Sequence, residues 1–350
     1  MARLRRVDCS EPGIRRRRRG RGFEYLDDCG RRIADDEVLE RISELAIPPA
    51  WRDVWICPYP SGHLQATGLD ARGRKQYLYH PKWRERRDRL KFDDMLAFAR
   101  ALPDMRASVA DALGAGGLGR DRILACSVRL LDRGFFRVGG EDYAAENESY
   151  GRATIQKRHV QLLPGDTIRF DYPGKSGQRR VQSIVDPDVY DIVATLRRRR
   201  GGGADLLAYK DGRRWRDVRS DDINAYVKQV AGGDFSAKDF RTWNATVLAA
   251  VALAVSGPQA RGSKTARKRA TRRAVNEVAR YLGNTPAVAR ASYIDPRIFD
   301  RFDSGYTIGG ALQEIGAEGD IAALHGPIEE AVLDLLEEEP SPAIENVNVA

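Results

Sequence analysis

Residues 284–293 read Asn-Thr-Pro-Ala-Val-Ala-Arg-Ala-Ser-Tyr, and the chain continues as Ile-Asp-Pro. Thr285 is a favourable N-cap, and Pro286 suits the first helical position, where its missing N–H has no helical partner to lose. Asp295 precedes a proline and therefore avoids the helical region, so the helix should end near Tyr293. The pattern predicts a short, capped helix that holds one tyrosine in place, with an amide side chain just before the cap.

A tyrosine on a helix is more often a packing residue than a chemical one, but three other segments change the interpretation of Tyr293. The first presents Arg137 among glycines, the second places Lys175 at the tip of a tight turn, and the third opens an apolar helix with Arg241 on its flank. The segments are Gly-Phe-Phe-Arg-Val-Gly-Gly at 134–140, Tyr-Pro-Gly-Lys-Ser-Gly at 172–177 and Lys-Asp-Phe-Arg-Thr-Trp-Asn at 238–244.

These side chains, with Asn284 and Tyr293, supply two guanidiniums, one ammonium, one amide and one phenol. Guanidinium groups neutralise the two non-bridging oxygens of a phosphodiester in a bidentate manner, and the amide donates a further hydrogen bond there. An ammonium can protonate the departing alkoxide, and a phenol can be the nucleophile. The set therefore predicts attack on a phosphodiester without a metal ion.

Five positions match, in order and in their flanking residues, the active-site positions of the type IB DNA topoisomerases: Arg137, Lys175, Arg241, Asn284 and Tyr293. The chain most resembles the compact poxviral and bacterial members. Ile-Pro-Pro-Ala-Trp at 47–51 and Gly-Arg-Lys-Gln-Tyr-Leu-Tyr-His at 73–80 resemble that family's N-terminal domain, and the resemblance covers roughly residues 22–303. Several members have His at the position of Asn284. Both side chains donate a hydrogen bond, but Asn cannot titrate, so an acid–base role is excluded here.

The resemblance implies that the chain is an isomerase that relaxes supercoiled duplex DNA. Tyr293 would attack the scissile phosphate and form a 3′-phosphotyrosyl link, while Lys175 protonates the departing 5′-hydroxyl. Arg137 and Arg241 would stabilise the charge of the transition state, with help from Asn284. Because the ester is exchanged and not hydrolysed, no ATP is expected. Because Arg137, Lys175 and Arg241 supply the cations, no metal ion and no other cofactor is expected. The expected partner is duplex DNA, bound by a monomer with no membrane and no nucleotide.

The expected fold class is α+β. A small antiparallel β-rich N-terminal lobe and a mainly α-helical catalytic lobe with a small β-sheet would clamp duplex DNA. Five arginines in succession at 15–19 form a like-charge block, which is typical of a disordered arm. The expected parts are a basic disordered arm at 1–21, a DNA-binding lobe at 22–85, a catalytic lobe at 86–305 and an acidic tail at 306–350.

Local patterns predict the elements in more detail. Strands are predicted at 54–59, 64–69, 76–79, 166–171 and 179–184. Helices are predicted at 36–45, with Asp35 as the cap, and at 83–102, 105–113, 122–131, 189–199, 221–231, 237–255, 264–281, 285–293 and 327–338.

The predicted strand at 76–79 offers a surface for DNA. Tyr77 and Tyr79 should point to one face and Gln76 to the other, because strand side chains alternate. Either the tyrosines pack on the β core or they contact DNA, with Lys75 on a phosphate. The residues alone favour neither alternative, whereas the resemblance favours contact with DNA. Two further residues, Tyr143 and Lys157, complete the predicted DNA contacts.

The charge of the chain is distributed unevenly. Its net charge is +9, yet no Lys or Arg follows Arg301, and residues 302–350 hold 11 acidic side chains. Residues 1–301 therefore carry 59 basic and 39 acidic side chains, a net charge of +20. Such a body is typical of a protein that binds a polyanion. The alternative is an Arg-rich composition set by the coding DNA, since only ten of the 59 basic residues are Lys.

The four cysteines have no metal-binding spacing and form no dense disulfide framework: Cys9, Cys29, Cys57 and Cys126. A reduced compartment is therefore expected, which means the cytoplasm, with association to the nucleoid if the cell is bacterial. The apolar run at 245–255 is too short to span a bilayer. The arginines near the N-terminus are not followed by the apolar run of a secretory signal.

Two rival functions remain open at the level of sequence. A tyrosine recombinase uses similar chemistry, but recombinases typically carry His-x-x-Arg at the second arginine, where this chain has Lys238 before Arg241. A non-enzymatic architectural DNA binder would explain the basic body but not the five matched positions. The acidic tail has its own alternatives: it either competes with DNA for the basic cleft, or it is a solvating tail or a docked helix.

Overall fold

The computed structural model describes residues 3–134, 154–174, 179–315 and 326–347. The chain divides into two compact units, Met1–Lys91 and Phe92–Ala350. The first contains an antiparallel sheet and the second is mainly helical with smaller sheets, which confirms the α+β class. The division follows Lys91, a few residues beyond the expected boundary at residue 85.

Five antiparallel strands form the sheet of the first unit: β1 (Ile14–Arg19), β2 (Gly22–Leu26), β3 (Arg52–Ile56), β4 (Leu64–Leu69) and β5 (Lys75–Tyr79). Their order is β2-β1-β3-β4-β5. Helix α1 (Asp36–Glu44) begins at the predicted cap, because the Asp35 carboxylate accepts hydrogen bonds from the N–H groups of Glu37 and Val38. The core of this unit combines Ile42 of α1 with strand residues Ile14, Val54, Ile56 and Ala66.

The disordered arm expected at 1–21 is corrected by the structure. Residues 14–19 form β1, which lies inside the sheet between β2 and β3. The guanidinium of Arg16 donates hydrogen bonds to three backbone oxygens of the loop at 47–51. Glu24 of β2 pairs with two other arginines of the strand. The loop at 47–51 and Glu24 thus offset the repulsion within the arginine run, and the charge pattern of residues 15–19 alone does not show these partners.

Helix α2 (Pro81–Gly114) is continuous, where two helices separated at residues 103–104 are expected. Pro103 lies inside it and removes one backbone hydrogen bond. Leu102 and Met105, on either side of the proline, are each 1% exposed. Burial of these apolar side chains offsets the lost hydrogen bond, so tertiary packing overrides the local signal.

The described part of the second unit is built mainly from helices: α3 (Arg120–Gly134), α4 (Pro187–Arg198), α5 (Ser220–Ala231), α6 (Ala237–Ala260), α7 (Lys264–Leu282), α8 (Pro286–Ser292), α9 (Pro296–Asp303), α10 (Gly309–Ile315) and α11 (Pro327–Glu337). The predicted helices from 122–131 to 285–293 correspond to α3–α8, with ends shifted by a few residues. Phe240 and Trp243 of α6 are at most 1% exposed, as their helical spacing predicts. Within the described residues, none of the helices has the length and apolarity that crossing a membrane requires.

Short antiparallel sheets complete the second unit. Their strands are β6 (Val160–Leu163), β7 (Thr167–Pro173), β8 (Arg179–Val185), β9 (Ala208–Asp211), β10 (Arg214–Asp217), β11 (Tyr306–Thr307) and β12 (Glu345–Asn346). They pair as β6-β7-β8, β9-β10 and β11-β12. The predicted strands at 166–171 and 179–184 are confirmed as β7 and β8. The sequence patterns do not predict the short strands β6, β9 and β10.

The C-terminal segment is not a separate acidic tail as expected for 306–350. The predicted helix at 327–338 is confirmed as α11, and its apolar face belongs to the core of the second unit. Strand β12 pairs with β11 and so ties the end of the segment to its beginning. The apolar residues recur at helical spacing and leave most of the acidic residues on the other face. Those that are at most 4% exposed are Ile328, Ala331, Val332, Leu335 and Leu336.

Candidate active site

Tyr293 lies at the C-terminal end of the short helix α8, as predicted. Thr285 is the N-cap, and its hydroxyl accepts a hydrogen bond from the Val288 N–H at 3.3 Å. Pro286 occupies the first turn. The Tyr293 N–H donates to the Ala289 oxygen at 3.0 Å and closes the helix. The capped helix therefore fixes the backbone of Tyr293, while its side chain remains half-buried.

The residues after Tyr293 hold it from the other side. The hydroxyl of Thr246 in α6 is fully buried, accepts a hydrogen bond from the Asp295 N–H at 3.1 Å and donates to the Tyr293 backbone oxygen at 3.4 Å. The carboxylate of Asp295 caps α9 and pairs with Arg297 at 2.7 Å. Sequence reasoning treated Asp295 only as a helix stop, although Asp before Pro is also an N-cap signal that could have predicted α9.

Arg241 is the second predicted catalytic residue within the described structure. It is 5% exposed and projects from the first turns of α6. Its Nη2 donates to the Leu282 oxygen at 2.9 Å, and its guanidinium carbon lies 5.3 Å from the centre of the Tyr293 ring. The structure thus brings together two predicted residues that are far apart in sequence.

Asn284 lies directly beyond the end of α7. Gly283 ends that helix in the left-handed conformation, with φ 62°, which glycine adopts readily because it has no Cβ. The Asn284 N–H donates to the Ala279 oxygen at 3.0 Å. Because the Arg241 guanidinium binds Leu282, two residues earlier, Arg241 and Asn284 share the same helix end. Three of the five predicted catalytic residues therefore meet at α6, α7 and α8.

Arg137, Lys175 and the predicted DNA contact Tyr143 lie outside the described residues. The described residues that flank Arg137 and Lys175 in the chain are joined by the side chain of Gln182. Gln182 of β8 donates from Nε2 to the Gly134 oxygen at 2.7 Å, three residues before Arg137. Because β8 begins four residues after Lys175, this amide ties the end of α3 to the strand that follows Lys175 in the chain. Sequence reasoning missed Gln182, and nothing in its local pattern marks it.

Arginines surround this junction. A cavity of about 460 Å³ adjoins Gly134 and Gln182, and its charged lining consists of Arg133, Arg179, Arg180 and Arg280. Arg180 also donates to the Arg280 and Tyr281 oxygens at the end of α7, so it connects β8 with the helix that precedes Asn284. Concentrated guanidinium charge of this kind attracts phosphate groups.

The predicted DNA contacts of the first unit form an exposed face of β5. Tyr77 and Tyr79 are 44% and 37% exposed, and their rings stack at 6.1 Å with an interplanar angle of 13°. Gln76 instead donates to Asp70 at 3.0 Å. Of the two alternatives, packing of the tyrosines on the β core is wrong. Lys75 is exposed beside them, and a hydrogen bond to the Cys9 sulfur raises its pKa.

Lys157, the remaining predicted DNA contact, lies in a 3₁₀ turn at Lys157–His159. Its backbone N–H donates to the Ala204 oxygen at 3.0 Å. Desolvation and the nearby charge of Arg199 lower the pKa of its ammonium group. The charged side chains close to this ammonium group are Arg199 and Asp217, and not Arg241.

The chain is similar in sequence to known proteins over most of its length. The family model for the eukaryotic DNA topoisomerase I catalytic core matches residues 80–303, and the model for the bacterial DNA topoisomerase IB N-terminal domain matches residues 22–70. DNA topoisomerase 1B of Acanthamoeba polyphaga mimivirus is 31% identical over 289 residues, which cover 81% of this chain and 85% of that protein. DNA topoisomerase 1 alpha of Arabidopsis thaliana is 28% identical over 127 residues, 36% of this chain and 13% of that protein. DNA topoisomerase 1 of Schizosaccharomyces pombe is 28% identical over 134 residues, 38% of this chain and 16% of that protein.

Proposed function

Because the chain belongs to the type IB DNA topoisomerase family and is therefore an isomerase that relaxes duplex DNA, we propose that it works through a tyrosyl–DNA ester, without ATP and without a metal ion. The observation that carries this proposal is the position of Arg241 against Tyr293, 5.3 Å from guanidinium carbon to ring centre. A fixed cation beside the nucleophile can take the place that a metal ion holds in other phosphoryl-transfer sites.

The proposed step is an exchange of esters. The Tyr293 oxygen attacks the scissile phosphorus, a bond to that oxygen forms, and the bond to the 5′-oxygen of the leaving strand breaks. The phenolic proton is lost to water, and Lys175 gives a proton to the departing 5′-oxygen. The 3′-phosphotyrosyl ester keeps the energy of the broken bond. Rotation of the free duplex end then relaxes the strain, and the 5′-hydroxyl reverses the attack.

Arg137, Arg241 and Asn284 would stabilise the negative charge on the non-bridging oxygens. Arg241 supports this role, because its buried hydrogen bond to the Leu282 oxygen holds the guanidinium before substrate arrives. A group that is already oriented needs no reorganisation during the reaction. Asn284 is suited to donate a hydrogen bond but not a proton.

DNA binding would extend to the first unit. The stacked pair Tyr77 and Tyr79 on β5, with Lys75 beside it, presents aromatic and cationic groups to solvent. Such a face suits contact with sugar, phosphate and base edges. We further propose that the protein acts as a monomer in the cytoplasm. Its four cysteines are free, which is consistent with a reducing compartment.

Relaxation of plasmid DNA tests the function. Negatively and positively supercoiled plasmids should both be relaxed in the presence of EDTA and in the absence of ATP. A strict requirement for Mg²⁺ in single-turnover cleavage would overturn the metal-independent step. Products that join two separate duplexes, with no relaxation, would instead support a recombinase.

A further inference from the structure

One buried ion network connects the C-terminal helix α11 to α6, which carries Arg241, and to the last turn of α3. We call it the α11 network, and its members are Arg106, Asp132, Trp243 and Glu329. Arg106 of α2 donates to both oxygens of Asp132, at 2.8 and 2.9 Å, and to both oxygens of Glu329, at 2.5 and 2.9 Å. Glu329 also accepts a hydrogen bond from the Trp243 indole at 2.9 Å. Glu329, Asp132 and Trp243 are 7%, 4% and 0% exposed.

Arg106 stays charged within the network. Burial alone would lower the pKa of Arg106, but the hydrogen bonds that it donates to Glu329 and Asp132 outweigh burial and raise the pKa above its ordinary value. A buried ion network adds little net stability, because desolvation offsets most of the attraction between its members. Its bidentate hydrogen bonds do, however, fix the directions of the groups that they join.

Each end of the α11 network lies close in sequence to a predicted catalytic position. Trp243 is two residues after Arg241 on α6. Asp132 is five residues before Arg137, near the end of α3, and its backbone oxygen accepts a hydrogen bond from the Asn244 side chain at 2.9 Å. The first turns of α6 and the last turn of α3 are therefore joined directly as well as through the network.

We propose that Glu329 is a positioning residue for DNA cleavage, which acts on Arg241 through Trp243 and on the last turn of α3 through Arg106 and Asp132. The inference rests on the proposed function. Glu329 lies outside residues 80–303, the range that matches the catalytic-core family model, so that match assigns it no role. The acidic C-terminal segment is thus part of the active-site framework.

The test compares Glu329→Gln with Glu330→Gln in the full-length protein. Glu330 is the adjacent exposed carboxylate on the same helix turn, so it controls for the loss of one charge. Single-turnover cleavage and DNA affinity would be measured well below the melting temperature. Glu329→Gln should slow cleavage by roughly 10- to 100-fold, the order expected for a small displacement of catalytic groups. The DNA affinity of Glu329→Gln should stay within about twofold of wild type. The cleavage rate and the DNA affinity of Glu330→Gln should also stay within about twofold of wild type.

A second substrate separates positioning from general damage to the fold. It carries a neutral methyl group in place of one non-bridging oxygen of the scissile phosphate, tested as each stereoisomer. An arginine gains little from a group without charge, so Glu329→Gln should lose much less activity relative to wild type on at least one stereoisomer. Equal losses on all substrates would show a merely structural role and overturn the inference.

Trp243→Phe provides a variant that keeps the Arg106 ion pairs and removes one N–H group. It should show the same substrate selectivity as Glu329→Gln. The cleavage rate of the double variant should fall by less than the product of the fold-losses in the two single variants. This variant decides the question if Glu329→Gln does not fold. Wild-type cleavage rates in both single variants would overturn the inference, while a normal covalent adduct in them would leave the proposed function intact.

Discussion

The guanidinium carbon of Arg241 lies 5.3 Å from the centre of the Tyr293 ring, although the two are separated by 52 residues along the chain. Arg241 is held by the backbone of Leu282, and Tyr293 is held by α8 and Thr246. Their proximity is therefore set by three helices packed in one core. This relationship places a cation beside the phenol that we propose as the nucleophile.

Replacement of Tyr293 by Phe removes only the phenolic oxygen. We expect no covalent protein–DNA adduct and no relaxation, with DNA affinity within about twofold of wild type, because the ring and its neighbours stay in place. SDS-resistant adducts on radiolabelled duplex provide the measurement. Tyr190→Phe on α4 serves as the control and should form the adduct normally. An adduct in Tyr293→Phe would mean that another residue is the nucleophile.

Arg241→Lys keeps the charge but loses the planar fork. Cleavage at saturating DNA should fall by roughly 10² or more, as for the loss of a transition-state donor. The free energy of unfolding should also fall by about 1–3 kcal/mol, because the buried Leu282 oxygen loses its donor. The matched control is Arg122→Lys, since Arg122 likewise donates to backbone oxygens, those of Leu113 and Gly117. Arg122→Lys should lose stability without losing the chemical step.

Lys175→Ala should slow cleavage of an ordinary phosphodiester by roughly 10² or more, the scale for removal of a general acid. A substrate with sulfur in the 5′-bridging position has a leaving group that needs little protonation. The variant should therefore cleave this substrate at nearly the wild-type rate, whereas Arg137→Ala and Arg241→Ala should stay impaired. Equal impairment of Lys175→Ala on both substrates would assign Lys175 to phosphate binding instead.

The β5 face should contribute to DNA affinity. Lys75→Ala should weaken binding to all sequences and reduce the slope of log affinity against log salt by about 1, since one phosphate contact is lost. Tyr77→Ala should weaken binding with little change in that slope. Binding isotherms across a salt series measure both effects. Lys228→Ala on α5, whose ammonium pairs with Asp234, is the control. A Lys75→Ala slope equal to that of the control would exclude a phosphate contact.

Removal of the C-terminal segment should destabilise the second unit. Leu335 is 2% exposed in the core, so Leu335→Ala should lower the free energy of unfolding by about 2–5 kcal/mol. Glu339→Gln, at an exposed position, should have almost no effect. Deletion of residues 312–350 should abolish cooperative unfolding, as followed by circular dichroism. A truncated protein that unfolds normally and binds DNA more tightly at low salt would restore the idea of an autoinhibitory tail.

Several elements were predictable because their signals are local. Thr285 and Pro286 predict the start of α8, and Asp35 predicts the start of α1, since caps act within one helical turn. The alternation of Tyr77 and Tyr79 predicts that both side chains share a face. Which face is exposed did not follow from the alternation, because it depends on what packs against the sheet.

The predictions that the structure corrects, for residues 15–19, for Pro103 and for the C-terminal segment, share a physical cause. The arginines at 15–19 were expected to be disordered because their partners, a loop at 47–51 and Glu24, are not visible in a charge count. Pro103 was expected to end a helix because its effect on the backbone is local, whereas the buried side chains that offset it are not. Acidic residues on α11 concealed an apolar stripe that the core of the second unit covers.

The sequence predicts the chemistry of this protein through five matched positions, a basic segment at 1–301 and the capped helix that ends at Tyr293. How the described residues are held follows from the tertiary structure alone. Arg106 and Glu329 are separated by 223 residues, and Trp243 and Glu329 by 86, yet they share buried hydrogen bonds. Caps, prolines and alternation act over a few residues and can be read along the chain. Contacts between distant residues depend on how the helices pack, and no local pattern encodes them.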